Sequence, residues 1–123
     1  MKKTKNDKHS DPRASIRVLE ECIELQRKKA NDYQNPASRI SQADYYPRGC
    51  ATILDIMYAK ILRMYSVLEA MESDTIYTPN FESLEDSCKD LCNYSSFMVA
   101  YLRGDMDGQD LTRDFLNKTN PEE

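Results

Sequence analysis

Lys60 and Arg63 interrupt an otherwise apolar run, IMYAKILRMYSVL, and stand three residues apart. On a helix that spacing turns both side chains the same general way. Cations on a helix that must be largely buried need partners, because an unpaired buried charge costs several kcal/mol. A matching polar set occurs downstream in SLEDSCKDLCNYSSF, where Asp86, Asp90 and Asn93 recur at helical spacing. Brought together, these residues could form an ion-paired layer that fixes helix register. They could equally form a site where phosphate oxygens meet the cations and a metal or sugar meets the carboxylates. Two milder readings stand beside these: Lys60 snorkels along its apolar neighbours, and Asp86 closes a capping box with Ser83.

Further candidates lie upstream. Glu21 and Glu24, with Glu20 beside them, place carboxylates one turn apart, as a magnesium site would want. Glu24, however, projects away from the apolar face and stands four before Lys28, the spacing of an exposed pair. Lys29 lies on the Cys22–Tyr33 side of the same segment, and Asp32 and Tyr33 close it where side chains can reach into a cleft. The following loop holds Arg39, Asp44, Tyr45, Tyr46 and Arg48. Arginines take phosphate in bidentate fashion and tyrosines stack on a base, or the tyrosines simply cover the end of a bundle. Asp105, Asp107 and Asp110 around Gly108 do not have calcium-loop spacing and read as an acidic turn.

The elements that must position these groups are helices. Asp11-Pro12 reads as an N-cap followed by proline at the first helical position. From there to about Tyr33 the stripe Ile16, Leu19, Ile23, Gln26, Ala30 and Tyr33 predicts one long helix. Asn35-Pro36 opens a short helix to about Ala43, closed by Tyr45-Tyr46-Pro47. A second long helix is expected from about Cys50 to Met71, then a loop holding Pro79. A third runs from Ser83 to Arg103, stopped by Gly104. Its projection puts Leu84, Cys88, Leu91, Tyr94, Met98 and Leu102 on one face, with Asp86, Asp90, Asn93 and Phe97 along the edge. Glu85, Lys89 and Arg103 point to solvent. The fold class is all-α: an antiparallel bundle of three long helices plus a short one. The middle helix is apolar nearly all round, more than two neighbours can cover, so a homo-oligomer is expected.

Composition narrows the class. At 123 residues this is one domain, with three glycines and five prolines clustered between the periodic segments. No apolar run reaches the length of a membrane span and no h-region follows MKKTKNDKHSD, so a cytosolic chain without a membrane partner is expected. Residues 1–13 carry five cations against two acids, a local +3 that leaves −7 on the rest of a chain of net charge −4. A body so acidic disfavours nucleic acid, and residues 1–11 read as a disordered basic arm. Residues 12–104 then form the domain, and 105–123 a polar tail with one turn around Leu111 to Leu116. Cys22, Cys50, Cys88 and Cys92 form no CxxC and the one histidine is His9, so buried free thiols are favoured over zinc.

The order Lys28-Lys29-x-x-Asp32-Tyr33, Lys60-x-x-Arg63, then Asp86-x-x-x-Asp90-Leu91-x-Asn93-Tyr94 resembles the nucleotide modification associated domain, type one. That small helical family is common in bacteriophages, near genes for altered bases and nucleotide metabolism. The resemblance covers roughly residues 15–103, and the family commonly has glycine where this chain has Gln34. More distantly the chain resembles the all-α, MazG-like nucleoside triphosphate pyrophosphohydrolases, which hold magnesium on two acidic helices. That likeness implies Glu21-x-x-Glu24 and Asp86-x-x-x-Asp90 as metal ligands, although the second spacing is four where the family has three.

Three functions follow. In the first, a phage-type nucleotide-handling enzyme cleaves a nucleoside triphosphate to monophosphate and pyrophosphate. Asp86, Asp90 and Glu21 or Glu24 hold Mg2+, and Lys29, Lys60, Arg63 and Arg39 hold phosphates. In the second, the same cations capture a nucleotide or nucleotide-derived signal without chemistry, read by Asp32, Tyr33, Tyr45, Asn93 and Tyr94. In the third, the charged layer only fixes register. The balance of charge in the layer discriminates: if Glu21 and Glu24 face solvent, two acids facing three cations suit an anion better than a metal pair.

Overall fold

The computed structural model describes residues 11–33, 37–73 and 81–110, without the side chains of 31–33 and 81–83. Three helices carry the fold: α1 (Ala14–Tyr33), α2 (Cys50–Ser73) and α3 (Phe81–Leu102), with a 3-10 turn at Gln42–Tyr45 before α2. The described residues are all-α and contain no strand. The expectations for residues 1–10, for Asn35-Pro36, for the Pro79 loop and for a turn at Leu111 to Leu116 lie outside the described residues.

α1 starts two residues later than the Asp11-Pro12 signal suggests. The Arg17 N–H donates to the Arg13 carbonyl at 3.1 Å, so Arg13 is the cap. Asp11 instead closes a turn, accepting from the Arg13 N–H at 2.9 Å and from its guanidinium at 2.6 Å. The guanidinium bond, then the backbone bond, holds the Asp11 carboxyl below its usual range. The short helix expected to end at Ala43 is also displaced. Residues 37–41 are turn and bend, and the 3-10 turn begins at Gln42. The Asp44 carboxylate accepts from the Ser41 N–H at 2.9 Å and so secures its start. α3 begins at Phe81, which puts Ser83 inside the first turn and removes it as an N-cap.

α3 is the centre of the assembly. α2 packs along it extensively, α1 does so less, and α1 and α2 scarcely touch. Lys60 meets Asp90 while Met64 meets Cys88, so α2 runs antiparallel to α3. Glu21 meets Lys89 while Gln26 meets Ser96, so α1 runs parallel to it. The result is an up-down-up arrangement in which the third helix lies between the other two.

The core gathers where the start of α2 meets the end of α3: Tyr46, Cys50, Ile53, Tyr101 and Met106 are buried there. Gly104, at φ 76°, ends α3. The Asp105 N–H reaches the Ala100 carbonyl at 2.9 Å and the Gly104 N–H that of Tyr101 at 3.0 Å, a Schellman stop. The chain then folds back, so residues 105–110 are no tail. Met106 plugs the core, the Gln109 amide donates to the Tyr101 carbonyl at 2.8 Å, and the Asp107 carbonyl accepts from the Ala43 N–H at 3.0 Å. Gly108, at φ 81°, sits so close to Ser41 that an added Cβ would overlap its side chain.

The stripe expected to bury α1 is rotated. Cys22 is buried, but Leu19 and Ile23 are about half exposed. Asn93 supplies the reason: buried on α3, it must spend its amide on hydrogen bonds, and α1 turns to provide them.

Candidate functional site

A cleft of about 240 Å³ opens between α1 and α2 over the middle of α3. Lys29 and Gln26 come from α1, Lys60 from α2, and Asp90, Asn93 and Tyr94 from α3; Phe97 and Gln42 complete one end. Lys60 Nζ donates to Asp90 Oδ2 at 3.0 Å, with each side chain about a quarter exposed. The pair is therefore half-buried, neither a rim contact nor a sealed core bridge.

The floor is built from interlocked amides. Asn93 Nδ2 donates to the Cys22 carbonyl at 3.2 Å, and its Oδ1 accepts from Gln26 Nε2 at 3.1 Å. Gln26 also donates to Ser96 Oγ at 2.9 Å. Asn93 thus uses its oxygen and one amide hydrogen to bind α1 to α3, and its first role is positional. Tyr94 packs edge-on against Phe97 and Tyr46, with ring centroids 5.3 and 6.5 Å apart. This places an aromatic wall beside the Lys60–Asp90 pair.

Of the residues singled out by sequence, the cleft brings together Lys29, Lys60, Asp90, Asn93 and Tyr94. It leaves others out. Arg63, Arg39 and Tyr45 are exposed and are not among the residues lining the cleft. Asp32 and Tyr33 end α1, and their side chains are outside the described set.

The four carboxylates expected to share a metal divide between two places, Asp90 in the cleft and Glu21, Glu24 and Asp86 around a neighbouring depression. Asp90 is taken by Lys60 and Glu24 pairs with Arg27 at 3.1 Å. Glu21 meets Lys89 at 3.0 Å, and exposed Asp86 edges a second, shallower depression beside Glu21 and Glu24. Among the described residues no three of Asp, Glu, His or Cys stand where one metal ion could take them together. Three of the four acids are held by a cation of the protein, Asp90 by Lys60, Glu21 by Lys89 and Glu24 by Arg27.

Lys89 is the residue that helical projection misplaced. It does not point to solvent but bridges Glu21 on α1 and Glu85 on its own helix, both at 3.0 Å. Its hydrogen bonds to Glu21 and then Glu85 hold its ammonium pKa well above the ordinary lysine value. Projection treats one helix alone, and α1 supplies the missing partner. Gln26 and Gln42 were not singled out as lining residues; Gln26 did carry a signal, a polar residue within the apolar stripe of α1.

The four cysteines are free. Cys22 and Cys50 are buried, Cys92 is half-buried, and exposed Cys88 meets the Met64 sulfur at 3.3 Å. Burial, and then a hydrogen bond with Cys92, pushes the Cys22 thiol up to about 11. That thiol is a packing group, not a nucleophile.

Compared with known protein families, with curated proteins and with solved structures, the chain matches none. No helix among the described residues is long and apolar enough to cross a membrane.

Proposed function

We propose that this protein binds a nucleotide, or a small nucleotide-derived anion, in the cleft between α1 and α2, and holds it without cleaving it. The observation that carries this reading is the meeting of Lys29 and Lys60 with the Tyr94–Phe97 wall in one cleft. Two cations and one acid leave a net positive site on an acidic protein, which draws an anion inward. Lysine ammoniums serve phosphate as point charges, and the aromatic wall offers a base or sugar an apolar surface. The cleft, at about 240 Å³, lies below the roughly 300 Å³ where drug-sized pockets begin. A nucleoside or mononucleotide suits it better than a dinucleotide.

The residues of the resemblance support the same ligand class. Lys29, Lys60, Asp90, Asn93 and Tyr94 come from three separate helices and line one space. Magnesium-dependent hydrolysis has weaker support, since Asp90 is engaged by Lys60 and Glu21 by Lys89. A panel of ribo- and deoxynucleotides with magnesium, read by thermal shift and by pyrophosphate release, tests the proposal. Stabilisation without turnover is expected. Pyrophosphate release would replace binding by catalysis, and no response to any nucleotide would overturn the nucleotide reading.

A further inference from the structure

The outward face of α2 carries Leu54, Tyr58, Ile61, Leu62, Tyr65 and Leu68, all exposed, with both tyrosines at 62 %. Steps of four, three, one, three and three residues return each side chain to one side of the helix. Their exposed area comes to roughly 600–700 Å². That is at or above the roughly 300–600 Å² of the largest apolar patch on an ordinary monomer. Two such faces bury roughly 1,200–1,400 Å² against one another, within the size of a stable interface.

We propose that this face is the seam of a two-fold homodimer, with α2 of one copy laid antiparallel against α2 of a second. The order of residue types is the reason for choosing a second copy. Leu, Tyr, Ile/Leu, Tyr, Leu reads almost the same in both directions, and an isologous contact demands such self-complementarity. A two-fold axis between positions 61 and 62 sets Tyr58 opposite Tyr65 of the second copy, and Ile61 opposite Leu62. A parallel pairing would instead press Glu69 and Glu72 against their own copies, two like-charge contacts at one end. The antiparallel pairing lays them near Leu54 and Ala51. Lys60 projects roughly 140° from the centre of the stripe, so the cleft stays open in the dimer. The seam therefore stands or falls independently of ligand binding.

Sedimentation equilibrium of the full chain at low micromolar concentration tests the seam. A mass of twice the 14.3 kDa protomer is expected. Tyr58→Glu with Tyr65→Glu gives a monomer of unchanged helical circular dichroism, whereas Ala59→Glu, on the neighbouring exposed flank, remains a dimer. Should the double variant lose its helical signal, Leu62→Lys alone reads the same seam. Spin labels on Glu72→Cys, with Cys88→Ser and Cys92→Ser, should lie roughly 30 Å or more apart across the dimer; a parallel pair would place them about 10 Å apart. A monomeric wild type, as when residues 111–123 or another protein cover the face, overturns the proposal. So does a double-glutamate variant that stays dimeric, or a short label distance.

Discussion

Replacing Lys60 by Met separates a cation that serves a ligand from one that serves helix register. The Lys60–Asp90 pair lies at 3.0 Å with 29 % and 24 % of the side chains exposed. Its gross attraction at an effective dielectric of 20 is roughly 5–6 kcal/mol. Desolvation offsets most of that, and a coupling of about 1 kcal/mol is what half-open pairs retain. Lys60→Met alone should cost about 1 kcal/mol, a Tm fall of roughly 3–5 °C, because Asp90 keeps its charge and loses its partner. Lys60→Met with Asp90→Asn should return to within about 0.5 kcal/mol of the wild type, since the unpaired charge is gone. Ligand binding should behave differently. Calorimetric titration should show nucleotide affinity down roughly 10–150-fold in both variants, the worth of one charge-assisted hydrogen bond of about 1.5–3 kcal/mol. Asp90→Asn alone frees the ammonium, so inorganic pyrophosphate should bind tighter. If Lys60→Met leaves nucleotide affinity unchanged, the pair is a register device and the functional reasoning fails.

Two further outcomes test the frame around the cleft. Met106→Ala should cost about 2–4 kcal/mol in urea denaturation, because a side chain only 5 % exposed leaves a hole between Tyr46 and Tyr101. Alkaline pH should weaken the fold. With the Cys22 thiol held up to about 11 against an ordinary 9.0, the unfolded chain loses its proton first. The Cys22 contribution to stability is then flat below about pH 9 and declines toward pH 11 by on the order of 2 kcal/mol. Burial of Cys50 adds in the same direction. Cys22→Ala should flatten the slope, read as Tm against pH relative to the wild type.

Helical periodicity, caps and breakers are local properties, and they determined much here from sequence alone. The all-α class, the three main helices and the stop at Gly104 follow from interactions within a few residues of each position. The oddity of Lys60 was also legible, since a cation inside an apolar run must find a partner somewhere. Only the tertiary structure decided which partner, because that depends on how far α2 slides along α3. Sliding α2 by one turn would move Lys60 about 5 Å away from Asp90. The rotation of α1 was likewise undecidable locally. Its apolar stripe favours burying Leu19 and Ile23, yet the hydrogen-bonding demand of Asn93, 71 positions from Cys22 and 67 from Gln26 in sequence, turns both inward. That rotation leaves Glu24 on Arg27, gives Lys89 to Glu21 and opens the cleft beside Lys29. Met106 shows the same limit from the other side. A lone apolar residue in an acidic segment has no period, and only the fold-back beyond Gly104 carries it into the core.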